Sequence, residues 1–151
     1  MEELFDIIGI GIGPFNLGLA ALCADVPGLK SLFLDRKERF NWHPGMMLKN
    51  ARLQVPFHAD LVTLANPQSR YSYLCYLKAR RRLFRFSIKE DYFPLRQEYN
   101  DYCGWVSEQL ESLRFGKFVV RVYYHLENKT YVVFAFNSEG NTEVYYTKNV
   151  V

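Results

Sequence analysis

Two periods of apolar positions follow one another along the first 35 residues. Phe5-Asp6-Ile7-Ile8-Gly9-Ile10 is a short apolar run ending at glycines, the pattern of a buried strand. Gly11-Ile12-Gly13-Pro14 is a tight turn. Phe15 to Ala24 is rich in Leu and Ala and predicts a helix, with Pro14 in its first turn, where a missing N–H costs nothing. Ser31-Leu32-Phe33-Leu34 predicts a second strand. A strand, glycine turn, helix and strand over residues 1–35 form the opening βαβ unit of a parallel α/β sheet.

The pattern then breaks. Pro44, Pro56 and Pro67 interrupt any long element in residues 36–68, yet Phe40, Trp42, Leu53, Val55 and Phe57 make this stretch too apolar for disorder. It is expected to fold as a loop region against the rest. Residues 70–113 read as helical. Ser72 to Phe84 predicts a helix with Arg80–Arg82 near its end, where cations suit the helix dipole. From Leu95, apolar positions at Tyr99, Tyr102, Val106, Leu110 and Leu113 describe one face of a second helix. Over residues 118–147 the period changes to β-branched and aromatic runs at Phe118–Tyr124, Tyr131–Asn137 and Glu143–Val151. Polar turns separate them, giving a small antiparallel β-meander. Asn149-Val150-Val151 reads as the start of a strand re-entering the parallel sheet.

Composition narrows the class. The 151 residues are 49% hydrophobic and 17% aromatic with a net charge of +3, which excludes a disordered chain. No apolar run reaches the ~18 residues of a membrane span. The acidic start MEELFD is unlike a basic signal peptide, so a soluble, cytoplasmic protein is expected. Cys23, Cys75 and Cys103 form no CxxC pair and no metal pattern, and are expected to be reduced, mostly buried thiols. Residues 70–96 hold eight Lys/Arg against Glu90 and Asp91, leaving the remainder slightly acidic. With no stacking platform or recognition helix beside it, this basic stretch is a solvated helix end and not a nucleic-acid site.

The candidate chemistry begins at Gly11-Ile12-Gly13-Pro14-Phe15-Asn16, in the place of a GxGxxG motif. Gly11 permits the turn, and Gly13 lets the backbone approach a pyrophosphate resting on the helix N-terminus. Asn16 stands where the third glycine would be. Asp35 ends the second strand 24 residues beyond Gly11, matching the acid expected about 20 residues on to accept from a ribose hydroxyl. The motif alone fits a nicotinamide or a flavin dinucleotide. The late meander favours FAD, by analogy with folds that bind both.

Four blocks carry a more specific resemblance: DxIGIGxGPxNLxLA at 6–20, FLxRxxxFxWHPGM at 33–46, LQVPFxADLVTLAxPxSxYSxLxYL at 53–77 and RxEYxxYCxWVSExL at 96–110. Across essentially its whole length the chain resembles the flavin-dependent N-hydroxylating monooxygenases of siderophore biosynthesis, which act on lysine, ornithine or diamines. The resemblance implies a Rossmann-like FAD-binding domain in an enzyme that uses FAD, NADPH and O2 to hydroxylate a terminal primary amine. It implies a small-molecule partner and a homo-oligomer, with no nucleic acid and no membrane span. Gly11, Gly13 and Pro14 match the family's pyrophosphate turn, Asp35 its acid after the second strand, Trp42 and His43 its flavin-side pair, and Gln54 its FAD-contacting glutamine. Val119 matches the position of a backbone contact to adenine. No residue is assigned as catalytic.

One departure bears on the substrate. Ornithine-type members carry a lysine immediately before Asp-Leu for the substrate's α-carboxylate, and here the position is Ala59. Alanine pairs with no carboxylate, and an unpaired buried carboxylate is costly. A diamine such as cadaverine or putrescine is therefore expected, with lysine or ornithine as the alternative. The resemblance also implies that 151 residues are the N-terminal FAD-binding portion of a longer enzyme, without its NADPH domain. A non-catalytic flavin-binding fragment and a protein-interaction role for the basic helix end are the competing readings.

Overall fold

The computed structural model describes residues 3–151. Met1 and Glu2, the first residues of the expected βαβ unit and of its acidic start, lie outside the described residues. Strand β1 (Leu4–Ile10), helix α1 (Pro14–Cys23) and strand β2 (Ser31–Leu34) form the opening unit. Helices α2 (Tyr73–Ala79), α3 (Leu83–Lys89) and α4 (Arg96–Ser107) follow a long loop. The chain ends in strands β3 (Leu113–Arg114), β4 (Phe118–His125), β5 (Thr130–Phe136) and β6 (Thr142–Val150).

The strands make one six-stranded sheet in the order β3-β2-β1-β6-β5-β4. Pairs β3–β2, β2–β1 and β1–β6 are parallel, and β6–β5–β4 is an antiparallel meander. This is the α/β, Rossmann-like architecture with a meander that the hydrophobic pattern predicts. Alternation along β2 sends Phe33 into the larger core under the helices, while Leu32 and Leu34 face the smaller one with Ile8 and Val133. The larger core collects Leu17, Val62, Tyr71, Tyr102 and Val106, all 1% exposed or less.

Three elements differ from the sequence expectation. The helix predicted over Ser72–Phe84 is broken at Arg80–Arg82, where Arg81 adopts φ 57°. The Arg82 guanidinium forks onto Glu98 of α4 with two hydrogen bonds of 2.8 Å, so a tertiary partner turns the chain before the helix can continue. The second helix stops at Ser107 although Leu110 and Leu113 are buried. The Ser107 hydroxyl donates to the Gly104 carbonyl and the Gln109 side-chain Nε2 to that of Trp105, occupying acceptors of the last turn. Leu113 then pairs with Phe33 as a short strand that its helical spacing concealed. At the chain's end, no new strand begins at Asn149. Strand β6 already pairs with β1 from Tyr146, while its earlier residues pair with β5, so one strand serves both halves of the sheet.

The 36–68 region is irregular apart from a 3-10 turn at Pro44–Met46, and it is folded, with Phe40 buried and Trp42, Leu53, Phe57 and Leu61 packed on the larger core. Its backbone is tied to the segment before α4: the Leu53 amide donates to the Pro94 carbonyl at 2.9 Å and the Phe57 amide to Tyr92 at 2.8 Å.

Candidate functional site

The turn between β1 and α1 is held from below. Gly11 sits at φ 86°, a conformation that L side chains rarely adopt, and its amide donates to the Leu34 carbonyl. The Asp35 carboxylate accepts from the Ile12 amide at 2.7 Å and from the Lys37 amide at 2.9 Å, and is only 8% exposed. Asn16, in place of the third motif glycine, donates through its side chain to the Gly11 carbonyl at 2.8 Å and so braces the turn. Close packing of strand and helix relies on other glycines. A Cβ on Gly9 would collide with the Phe33 ring, and one on Gly18 would lie 2.6 Å from the Leu61 carbonyl oxygen.

Above the turn the site is open. A Cβ at Gly13 would meet nothing within 4 Å, and no side chain caps the start of α1. An uncapped helix N-terminus with free approach is the arrangement that receives phosphate groups. These features fit the pyrophosphate of a dinucleotide.

A groove of about 690 Å³ runs from this helix start along the loop region, lined by Pro14, Gly18, Trp42, His43, Ala59 and Tyr99 among others. Trp42 is fixed on three sides. Its amide donates to the Asn100 side chain at 2.8 Å, its ring meets that of Tyr99 edge-on at 5.1 Å, and the Arg96 guanidinium lies 4.4 Å from its centroid. His43 is exposed at φ 44°, at the start of the 3-10 turn, with its ring 5.2 Å from Trp42. A left-handed backbone at a non-glycine residue stores strain of about 1–3 kcal/mol.

Asp60 builds the far wall. One carboxylate oxygen accepts from the Val62 and Thr63 amides, and the other from the Thr63 hydroxyl and the Tyr73 amide. It therefore joins the loop to the start of α2, and the residue before it, Ala59, faces the groove. Burial pushes the phenols of Tyr99 and Tyr102 and the Cys103 thiol well above their ordinary values.

The structure brings Pro14, Trp42, His43 and Ala59 to one groove, with Gly11, Gly13 and Asp35 at the turn beside it. Gln54 is exposed between the lining residues Leu53 and Val55, outside the lining itself. Val119 is set apart on β4, paired with Ala135 ahead of a bulge, and packs against the smaller core that contains Leu34. The amides of Gly116 and Lys117 donate to the carbonyls of Lys37 and Asp35, drawing the start of β4 toward the end of β2. Gly18, Arg96, Tyr99 and Asn100 are given no site role by the sequence reading. A glycine inside a Leu/Ala-rich helix is the one signal that marks Gly18, since it costs stability unless something must come close. Arg96, Tyr99 and Asn100 share one helical face by their spacing.

The model of the family described as L-lysine 6-monooxygenase/L-ornithine 5-monooxygenase matches residues 3–151. The putrescine N-hydroxylase of Shewanella oneidensis is 50% identical over 145 residues, which are 96% of this chain and 29% of that protein. The cadaverine monooxygenase of the Erwinia amylovora desferrioxamine pathway, solved with FAD bound, superposes with a TM-score of 0.96 at 46% identity, covering 99% of this chain and 35% of that one. An ornithine N-hydroxylase from Kutzneria, solved with reduced FAD, NADP+ and L-ornithine, gives 0.92 at 34% identity over 98% of this chain and 36% of its own. The chain thus spans about a third of the length of these relatives. With a match that runs from Glu3 to Val151, it belongs to the L-lysine 6-monooxygenase/L-ornithine 5-monooxygenase family.

Proposed function

We propose that the chain is the FAD-binding portion of an NADPH- and O2-dependent monooxygenase that hydroxylates a terminal primary amine of a diamine, cadaverine or putrescine, in hydroxamate siderophore biosynthesis. The observation that carries the substrate reading is the lining of the groove. Ala59 stands beside Asp60 there, and among the described residues no lysine or arginine lines it. A substrate α-carboxylate would find no cation, and leaving it unpaired in an apolar groove is costly. Relatives named for putrescine and cadaverine support the same choice.

In this reading the Gly11–Gly13 turn and the α1 N-terminus hold the pyrophosphate. Asp35 offers its remaining lone pairs to a ribose hydroxyl, and the backbone at Val119 meets the adenine. Trp42 and His43 wall the flavin side, with Gln54 as the polar contact at the rim. The flavin, when bound, supplies the activation of O2. In this reading the protein's part is to orient the reactants and to keep water out, with the proline-stiffened loop at 40–57 as one wall. NADPH, on the same reading, is held outside this FAD-binding portion.

The test is the substrate preference of the full-length enzyme. Diamines are expected to give the higher kcat/KM, and a clear preference for ornithine or lysine over both diamines would sink the reading. Ala59→Lys is expected to lower kcat/KM for putrescine by about tenfold, or ~1.4 kcal/mol, because the new ammonium repels the distal ammonium of the substrate.

A further inference from the structure

Beside the groove, the oxidisable rings form one connected file. The Trp42 ring meets Tyr99 at 5.1 Å between centroids, Tyr99 meets Tyr102 at 5.8 Å, and Tyr102 meets Tyr76 at 5.7 Å. Tyr76 in turn meets Trp105 at 5.7 Å. Trp42 and Tyr99 line the candidate flavin groove, whereas Tyr76 and Trp105 line a second groove of about 530 Å³ that opens to solvent. The chain has 12 phenylalanines, and none stands in this file. The neighbouring Tyr73 meets both Tyr102 at 5.4 Å and Tyr76 at 5.8 Å, and otherwise leads only to Phe86 and Phe57, rings that hold no electron hole. Packing alone asks only for large apolar groups. A run of Trp and Tyr from one groove to another also conducts, since these side chains give up a single electron far more readily than phenylalanine.

We propose that Trp42, Tyr99, Tyr102, Tyr76 and Trp105 are a one-electron discharge path that carries oxidising equivalents away from the flavin groove to the surface. The inference rests on the proposed function, because it needs an oxidant formed in that groove. A hydroxyl radical forms when peroxide, released without an amine in place, accepts one electron from a reduced iron or copper ion. It takes one electron from the Trp42 indole and becomes hydroxide. The hole crosses Tyr99 and Tyr102 and comes to rest on Tyr76. There the phenol O–H bond breaks, the electron fills the Trp42 vacancy, and the proton passes to the Glu98 carboxylate. A soluble reductant of the thiol or ascorbate class returns one electron through Trp105, and Glu98 returns the proton.

The direction of flow is set by where a proton can go. The Tyr102 hydroxyl donates to the Tyr71 backbone carbonyl at 2.7 Å, an acceptor that cannot keep the proton, so a hole on Tyr102 is transient. Glu98, held by the Arg82 fork and only 15% exposed, lies beside the Tyr76 phenol, whose value burial and this carboxylate push up to about 12. It is the base that lets Tyr76 keep the hole.

Light tests the path in the full-length, FAD-loaded protein. Visible absorbance first reports whether flavin is bound. A blue flash then makes the excited flavin the oxidant, and transient absorption follows the radicals. A long-lived tyrosyl or indolyl radical is expected in the unaltered protein. In Tyr102→Phe the hole should stay on Trp42 and recombine, shortening radical lifetime several-fold. Trp105→Phe, outside the flavin groove, should keep the tyrosyl signal and slow its repair by added ascorbate. Bound flavin with an unchanged radical lifetime in Tyr102→Phe overturns the path and leaves the FAD reading standing. Absence of bound flavin overturns that reading and the path with it. Should Tyr102→Phe fail to fold, Tyr76→Phe makes the same cut one ring later, and a persistent tyrosyl radical in that variant is the overturning result.

Discussion

Asp60 shows how much a single side chain holds in place here. Its carboxylate accepts four hydrogen bonds from the loop it sits in and from the start of α2. Hydrogen bonds to a charged group are worth roughly 1.5–3 kcal/mol each in isolation but are not additive. Asp60→Ala should therefore cost about 3 kcal/mol or more, read as a lowered Tm, with a displaced groove wall. Gly18→Ala brings a Cβ to 2.6 Å from the Leu61 carbonyl oxygen, which cannot move without dragging the loop. Overpacking of this kind costs about 1–3 kcal/mol, again read by thermal unfolding, and an unchanged Tm would show that the helix and loop are not in contact. Gly11, Gly13, Pro14, Trp42 and His43 stand out from the sequence because each belongs to a short local pattern. The supports of Trp42 do not, because its amide meets Asn100 across 58 residues of chain. Asp35 was legible as an acid at the end of a strand, but its use in holding the Ile12 amide follows only from the three-dimensional turn.

The elements follow the hydrophobic period wherever one face alone is buried. They depart from it where a tertiary contact decides. The break at Arg80–Arg82 depends on Glu98, which lies on another helix, and the buried spacing of Leu110 and Leu113 continues a helical rhythm through residues that are not helical. A buried position looks the same in sequence whether it sits on a helix or on a two-residue strand. The meander has its own clasp: Lys117, just before β4, donates to Glu143 on β6 at 2.6 Å, and the Tyr145 hydroxyl donates to the same carboxylate. The Lys117 hydrogen bond, then that of Tyr145, hold the Glu143 carboxyl below its ordinary value of 4.5. The stabilisation is thus complete above the unfolded value and is lost as pH falls through the lowered native one. Glu143→Gln should remove that part of the acid sensitivity. Unfolding midpoints of the two proteins should converge below pH 4.5, and parallel curves down to acid pH would contradict the assignment.

At the scale of the whole molecule, about a third of a relative's length already closes a six-stranded sheet with two cores and an open groove between helix and loop. Among the described residues no helix is long and apolar enough to cross a membrane. Several large apolar side chains are well exposed, among them Phe15 at 96% on the rim of the groove. If the groove and turn receive FAD, Gly13→Trp in the full-length enzyme should abolish the flavin absorbance of the purified protein, because an indole would fill the approach to the α1 N-terminus. Retained absorbance would place the pyrophosphate elsewhere. The general architecture was legible in the order of strand, glycine turn, helix and meander, but the sharing of β6 was not, since nothing local marks where a strand changes partners. That sharing governs the order of assembly. Strand β1 pairs in parallel with residues from Tyr146 to Val150, and Lys148 and Asn149 reach back to Asp6. During synthesis one side of β1 therefore stays unzipped until Val150 has left the ribosome, so the first strand of this sheet is among the last to be fully paired.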